Sequence, residues 1–217
     1  MAFNRQFLKE HLYSGAISDV LDQMGYPNQT IGPDIMPLTN DTVIFGPAFT
    51  SIGTVVYSMP ESPLTAQCKV VDQLKEGEVY VLVQRGEKNC AVFGELFATR
   101  TITIKKCDGI LLDGYARDLK ALYAKNVPLF YKGHCPKTSK GRTEINECQT
   151  PVIFDGVLIE PGDWIFGDLD GVAVIPKAIV EEVCEKALEI MKSEDEVRDN
   201  LLAGVTMEEV YKKKGTI

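Results

Sequence analysis

Two neighbours, Arg117 and Asp118, are the residues whose types and spacing could do chemistry in this chain. A guanidinium offers a planar fork to an anion, and the carboxylate beside it offers oxygen to a hard cation. They follow the apolar run Gly109-Ile110-Leu111-Leu112 and the turn signal Asp113-Gly114, which sets them just past the carboxyl end of a short buried strand. That end of a strand is where α/β proteins tend to bind ligands. Upstream, Gly94 opens a turn before Glu95-Leu96-Phe97-Ala98-Thr99. Backbone amides gathered where a turn enters a helix can hold a carboxylate without any side-chain charge. An isolated Arg-Asp pair also makes an ordinary surface ion pair, so what matters is whether a second group converges on it.

Other reactive residues carry weaker signals. His134 and Cys135 are adjacent, but the second histidine, His11, sits on an expected helix far along the chain, so neither a nucleophilic pair nor a metal site is spelled out. The six cysteines (68, 90, 107, 135, 148 and 184) contain no CxxC, which fits reduced thiols. Asp168 and Asp170 in Gly167-Asp168-Leu169-Asp170-Gly171 lack the further ligands and closing glutamate of a calcium loop, and read as a turn. Lys137, Lys140 and Arg142 form a basic loop that either attracts an anion or is simply solvated.

The elements that must position these residues come from a chain of 217 residues, long enough for one substantial core with an appendage. With 23 basic against 31 acidic residues the net charge is −8, which argues against nucleic-acid binding. The single lysine run, Lys212-Lys213-Lys214, suits the carbonyl end of a helix. The start lacks the apolar core of a signal peptide and no run reaches membrane-spanning length, so a cytoplasmic protein is expected.

Helical spacing of apolar residues over 3–24 is broken by Ser14-Gly15 into two helices, with Ser14 or Ser18 as the expected cap and Gly25 as the end. Strands are expected over 42–50, where Gly46-Pro47 suits an edge, a bend or a bulge, over 52–57, and over 78–83, from which Arg85-Gly86-Glu87 leads to the Gly94 turn. A helix over 64–74 and another over 118–125 flank the strands, a strand over 127–131 precedes the polar segment 132–142, and short strands with turns fill 146–175. The tail is helical, with Ile179, Val183, Ala187 and Ile190 as its apolar stripe, and Glu194 stands one turn before Arg198, a spacing that supports an ion pair. Thr206-Met207-Glu208-Glu209 reads as a capping box.

These motifs together resemble the RraA-like family, which includes the 4-hydroxy-4-methyl-2-oxoglutarate/4-carboxy-4-hydroxy-2-oxoadipate aldolases. The resemblance covers nearly the whole chain: Ile17-Ser18-Asp19-Val20-Leu21-Asp22, Gly46-Pro47-Ala48-Phe49-Thr50, Gly94-Glu95-Leu96, Asp113-Gly114 with Arg117-Asp118, Ser139-Lys140-Gly141-Arg142, and Pro161-Gly162-Asp163 through Gly167-Asp168-Leu169-Asp170-Gly171-Val172. It implies an α/β fold, a layered β/β/α swivelling domain over residues 1–176 including the N-terminal helices. A C-terminal helical extension over 177–217 would pack on the core or on a neighbouring subunit.

By the same resemblance the protein is a homotrimer or homohexamer with active sites between subunits. Gly94, Glu95, Leu96 and Phe97 look like the loop that holds pyruvate, Arg117 like the residue that binds its oxygen, and Asp118 like the ligand of Mg2+ or Mn2+. Glu95 stands where the aldolases usually carry Asp, and Glu194 looks like the acidic residue lent by a neighbour. The activity implied is metal-dependent (class II) cleavage of a 4-hydroxy-2-oxo acid to pyruvate, with oxaloacetate decarboxylation as a side activity. The family also implies an alternative, a non-catalytic regulator that binds a ribonuclease. Two departures stand out: one residue more than the aldolase motif between Glu95 and Arg117, and a β-branched, basic stretch over 100–106, which is expected to absorb it.

Overall fold

A computed structural model describes residues 4–85 and 90–214; the expected connection through Gly86-Glu87 lies outside them. The chain begins with α1 (Arg5–His11) and α2 (Ser14–Gln23), then two short strands, β1 (Thr30–Ile31) and β2 (Met36–Pro37), and the long β3 (Ile44–Val55). There follow α3 (Thr65–Gln73), β4 (Val79–Arg85), β5 (Ala91–Phe93), α4 (Glu95–Ala98) running directly into a π-helical segment (Thr99–Ile104), and β6 (Gly109–Ala116). After α5 (Leu119–Ala124) come β7 (Leu129–His134), β8 (Thr143–Cys148), β9 (Val152–Phe154), β10 (Val157–Ile159), β11 (Trp164–Asp168) and β12 (Gly171–Ile175). Two helices, α6 (Val180–Leu202) and α7 (Met207–Lys214), end the described chain.

The strands make two β layers joined through β3. Residues 44–47 of β3 pair with β11, which continues antiparallel through β12 to β1. Residues 48–54 pair in parallel with β4, followed by β6 and β7 in parallel and β2 antiparallel at the edge. The edge, bend or bulge expected at Gly46-Pro47 is therefore the place where β3 changes partner, and the strands expected over 42–50 and 52–57 are one. Gly46 is required there because a Cβ would lie 2.3 Å from the Gly77 carbonyl oxygen.

Alternation along the strands sorts their side chains into three cores. On β4, Val79, Val81 and Val83 face the space between the two β layers, where Phe154, Ile165 and Val174 meet them. Tyr80 and Leu82 point the other way, against α3, Ala98 and α5. Beyond the antiparallel layer, Phe45, Phe166 and Ile175 pack against α1, α2 and α6. The order is helices, sheet, sheet, helices, which contains the β/β/α arrangement expected and adds the terminal helices as an outer layer. Within the extension, α6 packs on the same chain through Val180, Val183, Cys184 and Ala187, all buried.

Several local expectations are met and others corrected. α2 ends at Gly25, whose φ of +86° only glycine adopts freely, and the Tyr26 amide donates to the Leu21 carbonyl at 2.8 Å. Neither Ser14 nor Ser18 caps it with its own side chain: Tyr13 occupies the cap position, Ser18 lies inside the helix, and the cap arrives from Asp168. The turn at 167–171 thus has a structural use that spacing alone did not reveal. Lys132, Gly133 and His134 extend β7 instead of starting the loop. Arg198 pairs with Asp195 one turn back, not with Glu194. The capping box is formed as expected, with the Thr206 amide donating to Glu209 at 3.1 Å and the Glu209 amide to Thr206 Oγ1 at 3.3 Å.

Candidate active site

Strand pairing explains why residues 94 and 117, far apart in sequence, meet. β5 lies parallel to β6 with Phe93 opposite Ala116, so the chain leaves both strands at the same level. The Arg117 amide then donates to the Phe93 carbonyl at 2.9 Å, clamping the two exits together. Asp118 takes the left-handed conformation (φ +61°, ψ +31°), which short polar side chains tolerate better than most, and turns the chain into α5.

This turn brings the Asp118 carboxylate over the start of α4. Its Oδ2 accepts the Glu95 amide at 3.2 Å and lies 3.7 Å from Arg117 Nε. Gly94 is buried against both residues: a Cβ there would stand 2.6 Å from Asp118 Oδ2 and 3.2 Å from Arg117 Cγ. Its backbone is extended (φ −156°), so glycine is needed for the close approach and not for an unusual dihedral.

Arg117 and Asp118 line a cleft of about 410 Å³, together with Gly94, Leu96 and Phe97. That volume is in the range of small-molecule sites. α3 and the residue before it also line the cleft, through Leu64, Cys68, Val71 and Asp72. Thr138 and Ser139 close one side. Their loop is fixed to the sheet, since the Ala91 amide donates to the Lys137 carbonyl at 2.7 Å. Arg142 donates to the Thr138 carbonyl at 2.9 Å, so it braces this loop. Neither His134 nor Cys135 lines the cleft.

Glu95 contributes its backbone to the site more than its carboxylate. Its Oε1 accepts from Lys125 Nζ at 2.5 Å and from Thr99 Oγ1 at 2.8 Å, and it is not among the cleft's lining residues. These hydrogen bonds, Lys125's first, hold its carboxyl below the usual carboxylate range. Glu194 is not brought to the cleft within one chain. It lines a separate groove on α2 and α6 with Asp19 and Lys186, and accepts a hydrogen bond from the Tyr13 hydroxyl. Burial first, and this hydrogen bond second, push the Tyr13 hydroxyl above its ordinary pKa.

The donor set suits a hard divalent cation held sparsely. Among the described residues no three His, Cys, Asp or Glu side chains gather as a metal cluster. Asp118 is half exposed in the cleft, and the missing Cβ of Gly94 leaves room beside its Oδ2. Magnesium commonly takes one or two carboxylates and keeps its remaining ligands as water, so a site built on Asp118 fits it.

Sequence reasoning missed part of the cleft. Arg100 and Asp72 line it and form an ion pair, with Arg100 Nη2 2.7 Å and Nε 2.8 Å from Asp72 Oδ1. The basic stretch over 100–106 drew notice as a departure, but nothing near Asp72 signalled that α3 would face it. The π-helical turn starts at Thr99, and the Lys105 amide donates to Arg100 five residues back at 3.0 Å. A π turn holds one more residue per hydrogen-bonded ring than an α turn, which gives a stretch one residue longer a way to keep both ends in place.

With the geometry set out, comparison with known proteins is decisive at one level. The model of the RraA-like family (Aldolase/RraA) matches residues 14–174. The chain belongs to the RraA-like family. It is 34% identical over 193 residues to a protein of Halalkalibacterium halodurans named "Putative 4-hydroxy-4-methyl-2-oxoglutarate aldolase", covering 88% of this chain and 85% of that one. It is 32% identical over 199 residues to Protein DlpA of Legionella pneumophila, covering 90% of this chain but only 31% of DlpA. Among solved structures it is similar to Streptomyces coelicolor RraAS2, described as an unusual member of the RNase ES inhibitor RraA protein family, with TM-score 0.76, 26% identity and coverage of 89% and 94% of the two chains. The RraA-like match takes in Gly94, Arg117 and Asp118, while Glu194 lies beyond it. Among the described residues no helix is long and apolar enough to cross a membrane.

Proposed function

We propose that this RraA-like protein is a divalent-metal-dependent aldolase that cleaves a 4-hydroxy-2-oxo acid to pyruvate and a carbonyl product. The observation that carries the reading is the convergence of Gly94, Arg117 and Asp118 in a cleft large enough for more than a three-carbon acid. The family's naming of aldolases supports it.

In this reading the pyruvate half lies with its carboxylate on the amides at the start of α4, where Leu96 and Phe97 stand at the cleft, and its 2-oxo oxygen toward Arg117. Mg2+ or Mn2+ held by Asp118 would supply Lewis-acid stabilisation of the charge that develops on that oxygen. Cleavage breaks the bond between C3 and C4. Its electron pair stays on C3 as the pyruvate enolate, and the C4 hydroxyl loses its proton as it becomes a carbonyl. Arg117 places a fixed positive charge beside the enolate oxygen as it forms, which favours the transition state over the ground state. Phe93 and Phe97 keep water from the reacting carbons. Glu95 is tethered by Lys125, so the proton acceptor proposed is Glu194 brought by a neighbouring copy of the chain, in the trimer or hexamer that the family suggests. Oxaloacetate would yield the same enolate by losing carbon dioxide.

The test is pyruvate release from 4-hydroxy-4-methyl-2-oxoglutarate and from oxaloacetate with added Mg2+ or Mn2+, in the wild type, Asp118→Asn and Arg117→Lys. Loss of about 100-fold or more in each variant and in chelator is expected; release that neither chelator nor Asp118→Asn alters would overturn the mechanism. A second reading, a regulator of a ribonuclease, is favoured by the likeness to RraAS2 and by a net charge of −8 that suits a basic partner. Ribonuclease inhibition by a protein that releases no pyruvate would establish that reading instead.

A further inference from the structure

The loop that carries Ser139 is fixed beside the strand that leads to Gly94. The Ala91 amide of β5 donates to the Lys137 carbonyl at 2.7 Å, and Thr138 stands opposite Ala91 in a parallel bridge. The Ser139 carbonyl then accepts the Arg142 amide at 2.8 Å and the Thr143 amide at 3.0 Å, which turns the chain into β8. Because the bridge is parallel, the step from Thr138 to Ser139 runs the same way as β5 does toward Gly94. Ser139 is thus two residues short of Gly94, about 7 Å along the strand, on a path about 5 Å to one side. Two hydroxyl side chains line the cleft among the described residues, Thr138 and Ser139. Thr138 Oγ1 accepts the Lys140 amide at 3.2 Å. Ser139 is only 6% exposed, yet its hydroxyl has no protein partner among the described residues. Within that set the polar side-chain atoms both sealed from water and unpartnered are those of the Gln84 amide, so the Ser139 hydroxyl meets the water of the cleft. A donor held in this way gains most when the ligand oxygen that replaces water takes on charge.

We propose that the Ser139 hydroxyl donates to the C4 oxygen of the 4-hydroxy-2-oxo acid as that oxygen gives up its proton, an assignment that rests on the pyruvate reading of Gly94 and Arg117. In that reading the carboxylate and the 2-oxo oxygen already have partners, and the C4 oxygen is the polar atom that every such substrate still presents. From the carboxylate carbon to C4 there are three carbon–carbon bonds of about 1.5 Å each. A hydrogen bond of about 3 Å at either end brings the span to the separation of Gly94 and Ser139. The proton of the C4 hydroxyl goes to the carboxylate acceptor and Ser139 keeps its own. The electron pair left on oxygen forms the carbonyl as the C3–C4 bond breaks. Ser139 is a catalytic residue of the cleavage in this account, and it stabilises an alkoxide that decarboxylation never forms. Oxaloacetate loses its C4 carboxylate as carbon dioxide, so the charge on its C4 oxygens falls instead of rising.

The test is the ratio of two rates, pyruvate release from 4-hydroxy-4-methyl-2-oxoglutarate over that from oxaloacetate, with Mg2+ present. Both rates scale alike with the amount of folded protein, so the ratio isolates the step at C4. Ser139→Ala should lower it by about 100-fold, as the loss of one donor to a developing oxyanion does. Ser139→Cys keeps the size of the side chain but donates weakly; it should move the ratio the same way, and it stands in if alanine leaves no folded protein. An unchanged ratio, whether the two rates hold or fall together, overturns the proposal and leaves the pyruvate reading intact. A wild type that releases no pyruvate from the hydroxy acid overturns that reading and the proposal with it.

Discussion

Both carboxylate oxygens of Asp168 hold the first residue of α2: Oδ2 accepts the Ser14 amide at 2.7 Å and Oδ1 the Ser14 hydroxyl at 2.6 Å. A helix N-terminus leaves amides without intrahelical partners, and a carboxylate there satisfies one and complements the helix dipole. Asp168 lies at the end of β11, so this contact ties the outer helices to the antiparallel layer. Asp168→Ala should cost about 1–2 kcal/mol and lower the melting temperature by about 2–6 °C. Asp168→Asn should recover part of the loss. Thermal unfolding at neutral pH checks both, and pyruvate-forming activity measured well below the melting temperature should be little changed.

Gly94→Ala separates the site from the fold. The extended backbone at Gly94 accepts alanine, but the added methyl would stand 2.6 Å from Asp118 Oδ2 and must displace that carboxylate or Arg117. A melting temperature within a few degrees of the wild type, with activity down by about 100-fold or more, is the expected combination. Full activity in Gly94→Ala would show that the spacing of Asp118 from α4 is immaterial to the chemistry.

The Glu95–Lys125 pair should be visible in a titration. Hydrogen bonds from Lys125 and Thr99 hold the Glu95 carboxyl below its ordinary value in the folded chain. For a carboxyl lowered by folding, the stabilisation is complete above the unfolded pKa and is lost as pH falls through the lower, folded one. Lys125→Met removes the leading cause, so Glu95 should titrate at higher pH than in the wild type, as read by carbon NMR of the side-chain carboxyl. The variant's stability should correspondingly vary less across the acid limb.

Thiol reactivity reports the cleft independently of activity. Burial, first among the causes, pushes the Cys107 and Cys184 thiols up to about 12, so both should resist alkylation at about pH 8 until the protein unfolds. Cys68 is exposed and lines the cleft. It should be modified well before those two, and a saturating 2-oxo acid should slow it severalfold. Mass mapping of iodoacetamide adducts follows all three sites in one experiment.

What the sequence made legible was local. The apolar run over 109–112 marked the strand whose end carries Arg117 and Asp118, although Asp113-Gly114, which reads as a turn, continues β6 to Ala116, and the Gly94 turn entered a helix as expected. The Thr206–Glu209 box formed because all its partners lie within one turn. What stayed hidden depends on partners distant in sequence. Gly46-Pro47 reads as an edge, a bend or a bulge, although it marks an exchange of neighbours within one strand. Asp168 reads as a turn residue because Ser14 lies 154 positions away. Glu194 and Arg198 have the right spacing for an ion pair, but Tyr13 and Asp195 compete for them. The Asp72 wall could not be read because no local pattern states which face of α3 closes over a cleft.

The passage of β3 from one layer to the other has a mechanical consequence. A strand that belongs to both layers is a common beam: strain applied to the outer helices reaches the Gly94 and Asp118 end of the parallel layer through covalent bonds, not only through packed side chains. Neither layer can lose its hydrogen bonds to β3 without loosening the other's. Loss of β3 would thus break the pairing of β11 and of β4 at once.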